Sequence, residues 1–294
     1  MAEVRLMSAV ERIWLIQTPS ALSQAWRDVL RETCTERGWD FAIHERGQTM
    51  PVATPGRSLL VVAWLDQAEG IEVTNWSVQL SPPLDVVALL QSSGELSEHD
   101  ALYEASLRLA TAWDRIKHGA SEAWWDDEEL EIVGLGRIRR PQGHVALAPL
   151  LINHPLSMFE RDNQKDNRGT QWRPDLFLYP GLPSGAGIAG SLSLVGRRRL
   201  LFNGPNIFLP SGSWNFIAEI SIDPPGRTEL VVEWGHGHEV ASLVAPINSP
   251  GRYELQLEKR WESPRPADFR ISLMIPALEG DFIFHGGTVS PALD

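Results

Sequence analysis

Apolar and polar residues alternate with a period of two along Arg199–Ile222, RLLFNGPNIFLPSGSWNFIAEISI. Trp214, Phe216, Ala218, Ile220 and Ile222 are apolar, and Asn215, Glu219 and Ser221 are among the residues between them. Successive side chains of a strand point to opposite faces of a sheet, so this pattern predicts a half-buried strand. Pro210, Gly212 and the adjacent serines supply a turn, and the stretch reads as a strand pair. Further short strands are predicted at Thr228–Trp234, Glu239–Val244, Arg252–Glu258, Phe269–Ile275 and Asp281–Val289. Short strands at such spacing, separated by glycine and proline, predict an antiparallel sandwich or barrel from residue 185 onward.

The first half carries a different pattern. Arg12–Gln17, Phe41–His44, Leu59–Leu65 and Trp76–Leu80 read as strands, the third short apolar run being continuous enough to be central. Between the first two, Ala21, Leu22, Ala25, Trp26, Val29, Leu30 and Thr33 recur at helical spacing. Thr18 is placed to cap that helix, Pro19 to sit in its first turn and Gly38 to end it. A helix over 84–91 and a longer one over 98–118 follow, the latter opened by Ser97 and Asp100. Strand–helix–strand order predicts a small, Rossmann-like open sheet. The fold class is thus α/β plus all-β: an α/β domain over 1–118, a connector and long loop over 119–184, and a β-sandwich over 185–294.

Composition narrows the classes. Of 294 residues, 43% are hydrophobic and 22% charged, as in ordinary globular proteins. The formal charge of −12 argues against nucleic acid, whose binders need a basic face. A single cysteine, Cys34, excludes an internal disulfide framework. No apolar run is long enough for a membrane span. The N-terminal MAEVRLMSAVERIWLIQ has early acids and no small-residue cleavage site, which predicts cytoplasmic synthesis without a signal peptide.

Twelve tryptophans are the main oddity. Indole faces stack on sugar rings, and exposed tryptophans mark glycan sites. Trp14, Trp26, Trp64, Trp113 and Trp214 lie on apolar faces and are expected in the core, whereas Trp172, Trp234 and Trp261 stand beside loops or turns and are the glycan-binding candidates. His236 and His238 join them at the rim. With Glu239, and His285 as a further imidazole, those histidines are also candidate metal ligands, although Gly235-His236-Gly237-His238 equally fits a hairpin tip. Asp126-Asp127-Glu128-Glu129 has the residue types that hold a divalent ion with a nucleotide diphosphate, and equally those of a solvated loop. Arg197-Arg198-Arg199 suits an anionic partner or a protected sheet edge. No phosphate loop, nucleophile elbow or zinc-protease motif is present, so no catalytic residue and no cofactor is assigned.

From Gly190 to Val289, the segments LPSGSW, LVVEWG, PGRYELQLE, ADFRISLMI and FIFHGGTVS resemble the jelly-roll, carbohydrate-binding-module-like domains of bacterial polysaccharide-associated and phage-related proteins, including head spikes of phages and gene transfer agents. That resemblance implies a non-enzymatic protein binding a polysaccharide or cell-surface glycan, working as a homo-oligomer or within a released virus-like particle. The alternatives are a glycosyltransferase-like enzyme with an accessory sandwich, and a purely structural capsid or tail component.

Overall fold

The computed structural model describes residues 11–45, 48–49, 51, 56–62, 76–92, 96–141, 154–165, 168–180, 182, 191–224 and 226–292. The expectations placed on residues 1–10, on Trp64 and Leu65, and on the 183–190 junction lie outside them. The chain forms two compact units, Met1–Leu96 with Thr111–Pro149, and Ser97–Ala110 with Leu150–Asp294. The stretch read as a connector, 119–184, is thereby divided between them.

In the first unit, β1 (Glu11–Gln17), α1 (Ser23–Glu36), β2 (Asp40–His44), β3 (Arg57–Val62), β4 (Trp76–Leu80) and α2 (Pro83–Ser92) lead into α3 (Glu98–Lys117) and β5 (Ser121–Trp124). A hairpin of β6 (Glu129–Ile132) and β7 (Gly136–Arg139) follows. All five sheet strands are parallel, in the order β2-β3-β1-β4-β5. This open parallel sheet has β2 and β3 exchanged relative to the 3-2-1-4-5 order of a Rossmann sheet, so the Rossmann-like expectation holds only as far as a five-stranded parallel sheet. The sheet is covered on both sides: every residue of β4 and all of β3 after Arg57 are buried, and Trp14 stacks on Trp76 with centroids 5.0 Å apart.

Helix α1 ends as expected. Gly38 takes a φ of +69°, and Trp39 N donates to Cys34 O at 2.8 Å, the bond that closes a left-handed helix terminus. Its start differs. The helix begins at Ser23 rather than beside Pro19, and Thr18 caps nothing helical; its hydroxyl accepts from Ser81 N at 2.6 Å instead. Helix α3 is capped as its sequence predicts, with Asp100 N donating to Ser97 Oγ at 3.2 Å.

The second unit takes the first half of α3, then α4 (Arg161–Lys165), β8 (Thr170–Trp172) and β9 (Leu192–Ser193). After these come β10 (Arg199–Leu209), β11 (Gly212–Asp223), β12 (Thr228–His236), β13 (Glu239–Ile247), β14 (Gly251–Trp261), β15 (Arg265–Leu273) and β16 (Asp281–Pro291). They make two antiparallel sheets, β10-β15-β12-β13 and β14-β11-β16-β8. Only β12 and β13 are consecutive partners; every other connection from β10 onward crosses from one sheet to the other, a jelly-roll-like arrangement. The expected β10–β11 pair is therefore not a hairpin. Each strand buries one face against the same core from opposite sides, so the LPSGSW turn is a sheet-to-sheet corner.

An aromatic layer fills the space between the sheets. Phe216 lies 4.3 Å from Phe269, and Phe202 lies 4.4 Å from Phe284. Trp234 is 5.7 Å from Phe216, and Phe177 meets Phe284 edge-on at 4.9 Å. Helix α3 contributes Ser106, whose Oγ accepts from Phe208 N at 3.0 Å, and Tyr103, edge-on to Phe208 at 5.1 Å.

Candidate functional site

The candidate tryptophans are core residues. Trp172 and Trp234 are 0% exposed and Trp261 is 3% exposed, so none offers a ring face to a sugar. Trp172 packs on Phe216 at 5.6 Å, and Trp261 stands edge-on to Trp234 at 6.3 Å. The physical reason is strand parity. Trp234 shares its side of β12 with buried Leu230 and Val232, and Trp261 shares its side of β14 with buried Leu255 and Leu257.

His236 and Glu239 form the closing pair of the β12–β13 hairpin, and Gly237-His238 is its two-residue loop. A φ of +57° at Gly237 with none positive at His238 is the type II′ pattern. Beneath this tip, Asp268 Oδ1 accepts from Gly204 N at 2.7 Å. The Arg270 guanidinium reaches Asp268 and Glu233, each at 3.6 Å, and donates to Gly237 O at 3.3 Å. Burial pushes the Asp268 carboxyl up, against the pull of Arg270, the Gly204 amide, Asn203 and His236. These charges offset one another, and the bond from Arg270 to Gly237 O ties the cluster to the turn. Among the described residues no group of three or more His, Cys, Asp or Glu side chains is arranged to hold a metal ion.

The acidic knot is likewise local structure. Asp127 Oδ2 accepts from Trp124 N at 2.7 Å, and Trp124 Nε1 donates to Glu122 Oε1 at 2.6 Å. Glu129 lies 3.7 Å from Arg137. Arg197 and Arg198 are exposed, whereas Arg199 turns back to donate to the carbonyls of Ser193 and Val195.

The outer face of the β14-β11-β16-β8 sheet carries an extended polar surface built from alternating positions. On β11 these are Asn215, Ile217, Glu219 and Ser221. Register places Gln256 and Thr288 on either side of Ile217, with Gln171 beyond Thr288. It places Arg252 and Ile283 on either side of Ser221. Arg252 donates to Glu219. The β11–β16 register shifts between Glu219 and Ile220, leaving His285 as the extra residue of a bulge. Gly286 makes that bulge possible, with a φ of +103° and space for no Cβ, which would lie 2.7 Å from Trp172 O. The bulge swings His285 onto the face, where Nε2 lies 2.7 Å from Ser221 Oγ. Beside them a shallow depression of about 260 Å³ is lined by Ser221, Ile222, Asp223, Gly251, Asp281 and Ile283.

Sequence reasoning did not reach this face. Its signal was present in the polar half of the β11 alternation and in the Gly286-Gly287 pair that marks a bulge.

No family model matches the chain, and no curated protein matches it. Among solved structures it is similar to the module TmCBM61 in complex with beta-1,4-galactotriose, at 10% identity and a TM-score of 0.28, covering 40% of this chain and 81% of that one. It is also similar to a family 16 carbohydrate-binding module, at 11% identity and a TM-score of 0.25, covering 42% of this chain and 85% of that one. A third likeness is to infectious bursal disease virus Gx strain, at 12% identity and a TM-score of 0.26, covering 53% of this chain and 39% of that one. At these identities and TM-scores nothing about the chemistry of this chain follows from them.

Proposed function

We propose that the protein binds a neutral polysaccharide across the outer face of the β14-β11-β16-β8 sheet, without catalysing a reaction on it. The observation that carries this reading is the row of hydroxyl-matching groups on that face: Gln171, Thr288 and Gln256 flank Ile217, and Ser221 and His285 border the depression. Amides and imidazole both donate to and accept from sugar hydroxyls, while carboxylates accept. Ile217 and Ile283 offer apolar patches to the C–H faces of a sugar ring. Charge selects the polymer class. Glu219, Glu254, Glu258, Asp223 and Asp281 outnumber Arg252, Arg260 and His285 around this face, so a polyanion meets net repulsion. With no indole face exposed among the described residues, binding rests on hydrogen bonds at a solvated surface, and each site is weak alone.

The test is a glycan array probed with the full chain, followed by titration calorimetry on any neutral polysaccharide retained. Gln256→Ala and Ser221→Ala are expected to weaken binding by about tenfold or more, about 1.4 kcal/mol, with the melting temperature unchanged. Retention of anionic glycans only, or variants binding as the parent does, would sink the proposal. A finer form places the protein as a spike on a phage-like particle, where many weak sites act together. Immunogold labelling of particles released by the producing cells tests it, and unlabelled particles would end it.

A further inference from the structure

The four edges of the two sandwich sheets are not treated alike. An unpaired edge strand presents a row of free N–H and C=O groups, and proteins protect such rows by covering, shortening or charging them. The β10 edge is covered: Leu178 exchanges two backbone hydrogen bonds with Asn203, at 2.8 and 3.0 Å, and Phe208 N is bound to Ser106 Oγ. The β8 edge is three residues long. The β14 edge carries Arg252, Glu254, Glu258, Lys259 and Arg260.

Among the described residues, the β13 edge has none of these protections over 240–245, VASLVA. Leu243 is 38% exposed and Val244 is 53% exposed. Because the two-residue loop makes His236 and Glu239 a hydrogen-bonded pair, alternation along the ladder turns the backbone groups of Ala241, Leu243 and Ala245 toward β12. Those of Val240, Ser242 and Val244 point outward, and among the described residues no backbone hydrogen bond from outside the β12 ladder reaches them.

We infer that β13 is a docking edge for β13 of a second copy of this chain, paired antiparallel about a two-fold axis at Ser242. The occupant follows from self-complementarity. With Ser242 opposite its own copy, Val240 falls opposite Val244 and Ala241 opposite Leu243, so each exposed apolar side chain meets another apolar one. About six backbone hydrogen bonds form across the axis. Charge agrees: no charged residue lies within 240–247, and Glu239, at the near end, falls opposite Ala245 rather than another acid. Pro246, which has no N–H to donate, closes the window at the far end. The contact is small beside the roughly 1,200 Å² of a standard stable interface, so the dimer is reversible and concentration-dependent. This inference is independent of the glycan reading, and a dimer would set two glycan faces on one particle.

Sedimentation velocity of the full chain across micromolar concentrations tests it. The parent protein is expected to pass from monomer to dimer, whereas Val244→Lys stays monomeric at every concentration with its melting temperature unchanged. Ser242→Cys is expected to form an intermolecular disulfide under mild oxidation, since opposed residues of such a pair have Cα atoms about 5.5 Å apart. Cys34 is buried and gives no background. A parent that stays monomeric throughout, a dimer that survives Val244→Lys, or a Ser242→Cys protein that does not cross-link would each overturn the proposal. The same dimer with cross-linking at Leu243→Cys instead would overturn its register.

Discussion

The two units place their polar residues oppositely. The parallel-sheet unit hides them: Gln17, Thr18, Ser20, Ser23, His44, Ser58, Ser77, Gln79, Ser81 and Asp85 are all buried, against Ser106, Ser157, Thr170 and Thr228 in the sandwich unit. Many of the first group gather at the carboxyl ends of β1 and β4, where strand order reverses and open parallel sheets bind their ligands. Here that crevice is stitched shut. Thr18 Oγ1 accepts from Ser81 N, Ser81 Oγ donates to Thr18 O at 3.0 Å, and Gln17 Nε2 donates to Gln79 Oε1 at 2.8 Å. The sandwich sets its polar groups on an outer face, where they are half-exposed and open to a ligand. Polar groups in the first unit hold the protein to itself, and those on the sandwich are available to something else.

The largest expected effect tests the sandwich core that makes such a face possible. Trp234→Ala removes a fully buried indole from the aromatic layer and is expected to cost about 3–5 kcal/mol, read by urea denaturation. A loss below 1 kcal/mol would mean that the layer is not what holds the sheets together. Next comes the stitched crevice. Thr18→Val leaves Ser81 N without its acceptor and is expected to cost about 1–3 kcal/mol in the same assay, with glycan binding intact. If binding falls as well, the division between units fails.

Titration gives an intermediate effect. His154 Nδ1 accepts from Leu156 N at 3.2 Å, and burial, aided by Arg173, pushes the imidazole down to about 4. Its unfolded value is about 6.5. The unfolded state therefore takes up the proton first as pH falls. The contribution of His154 is complete above about 6.5 and is lost progressively toward pH 4. Melting temperatures are expected to drop through that window, and His154→Gln to flatten part of the slope. An imidazole resonance titrating near 6.5 in the folded protein would refute the assignment. Cys34, wholly buried and pushed up to about 11 chiefly by burial, is expected to resist thiol reagents at neutral pH until the protein unfolds. The smallest effect is at the surface: Arg252→Ala breaks an exposed ion pair with Glu219 and should change stability by less than about 1 kcal/mol while altering glycan binding.

Much of the second unit could be read before its structure. The β11 alternation matches its buried and half-exposed positions residue by residue, because one sheet face packs on a core and period two follows. The same parity, applied to β12 and β14, would have sent Trp234 and Trp261 inward; choosing them for indole chemistry overrode the stronger signal of their neighbours' spacing. Strand partners were out of reach. A turn as short as Pro210-Ser211 is compatible with a hairpin or a corner, and what decides is a core assembled from residues as distant as Phe202 and Phe284. His285, singled out in the sequence only as a further imidazole beside His236 and His238, was not placed on this face for a related reason: a bulge breaks parity, and only the adjacent glycines hint at where. In the first unit β1–β4 and the helices were readable, but β5, which falls in the stretch read as a connector, and the exchange of β2 and β3 were not, since sheet membership and order depend on crossovers rather than on any strand's own pattern.

The sharing of α3 between the units reaches beyond the finished fold. Phe208 N finds its acceptor on Ser106, 102 residues earlier in the chain. On the ribosome, that half-helix emerges and then waits while most of the remaining polypeptide is made before its neighbours exist. Excising residues 150–294 would strip the same serine and Tyr103 from Phe208, so such a fragment lacks part of its own structure. Synthesis of the two units is interleaved in time: neither can be completed from one uninterrupted length of chain.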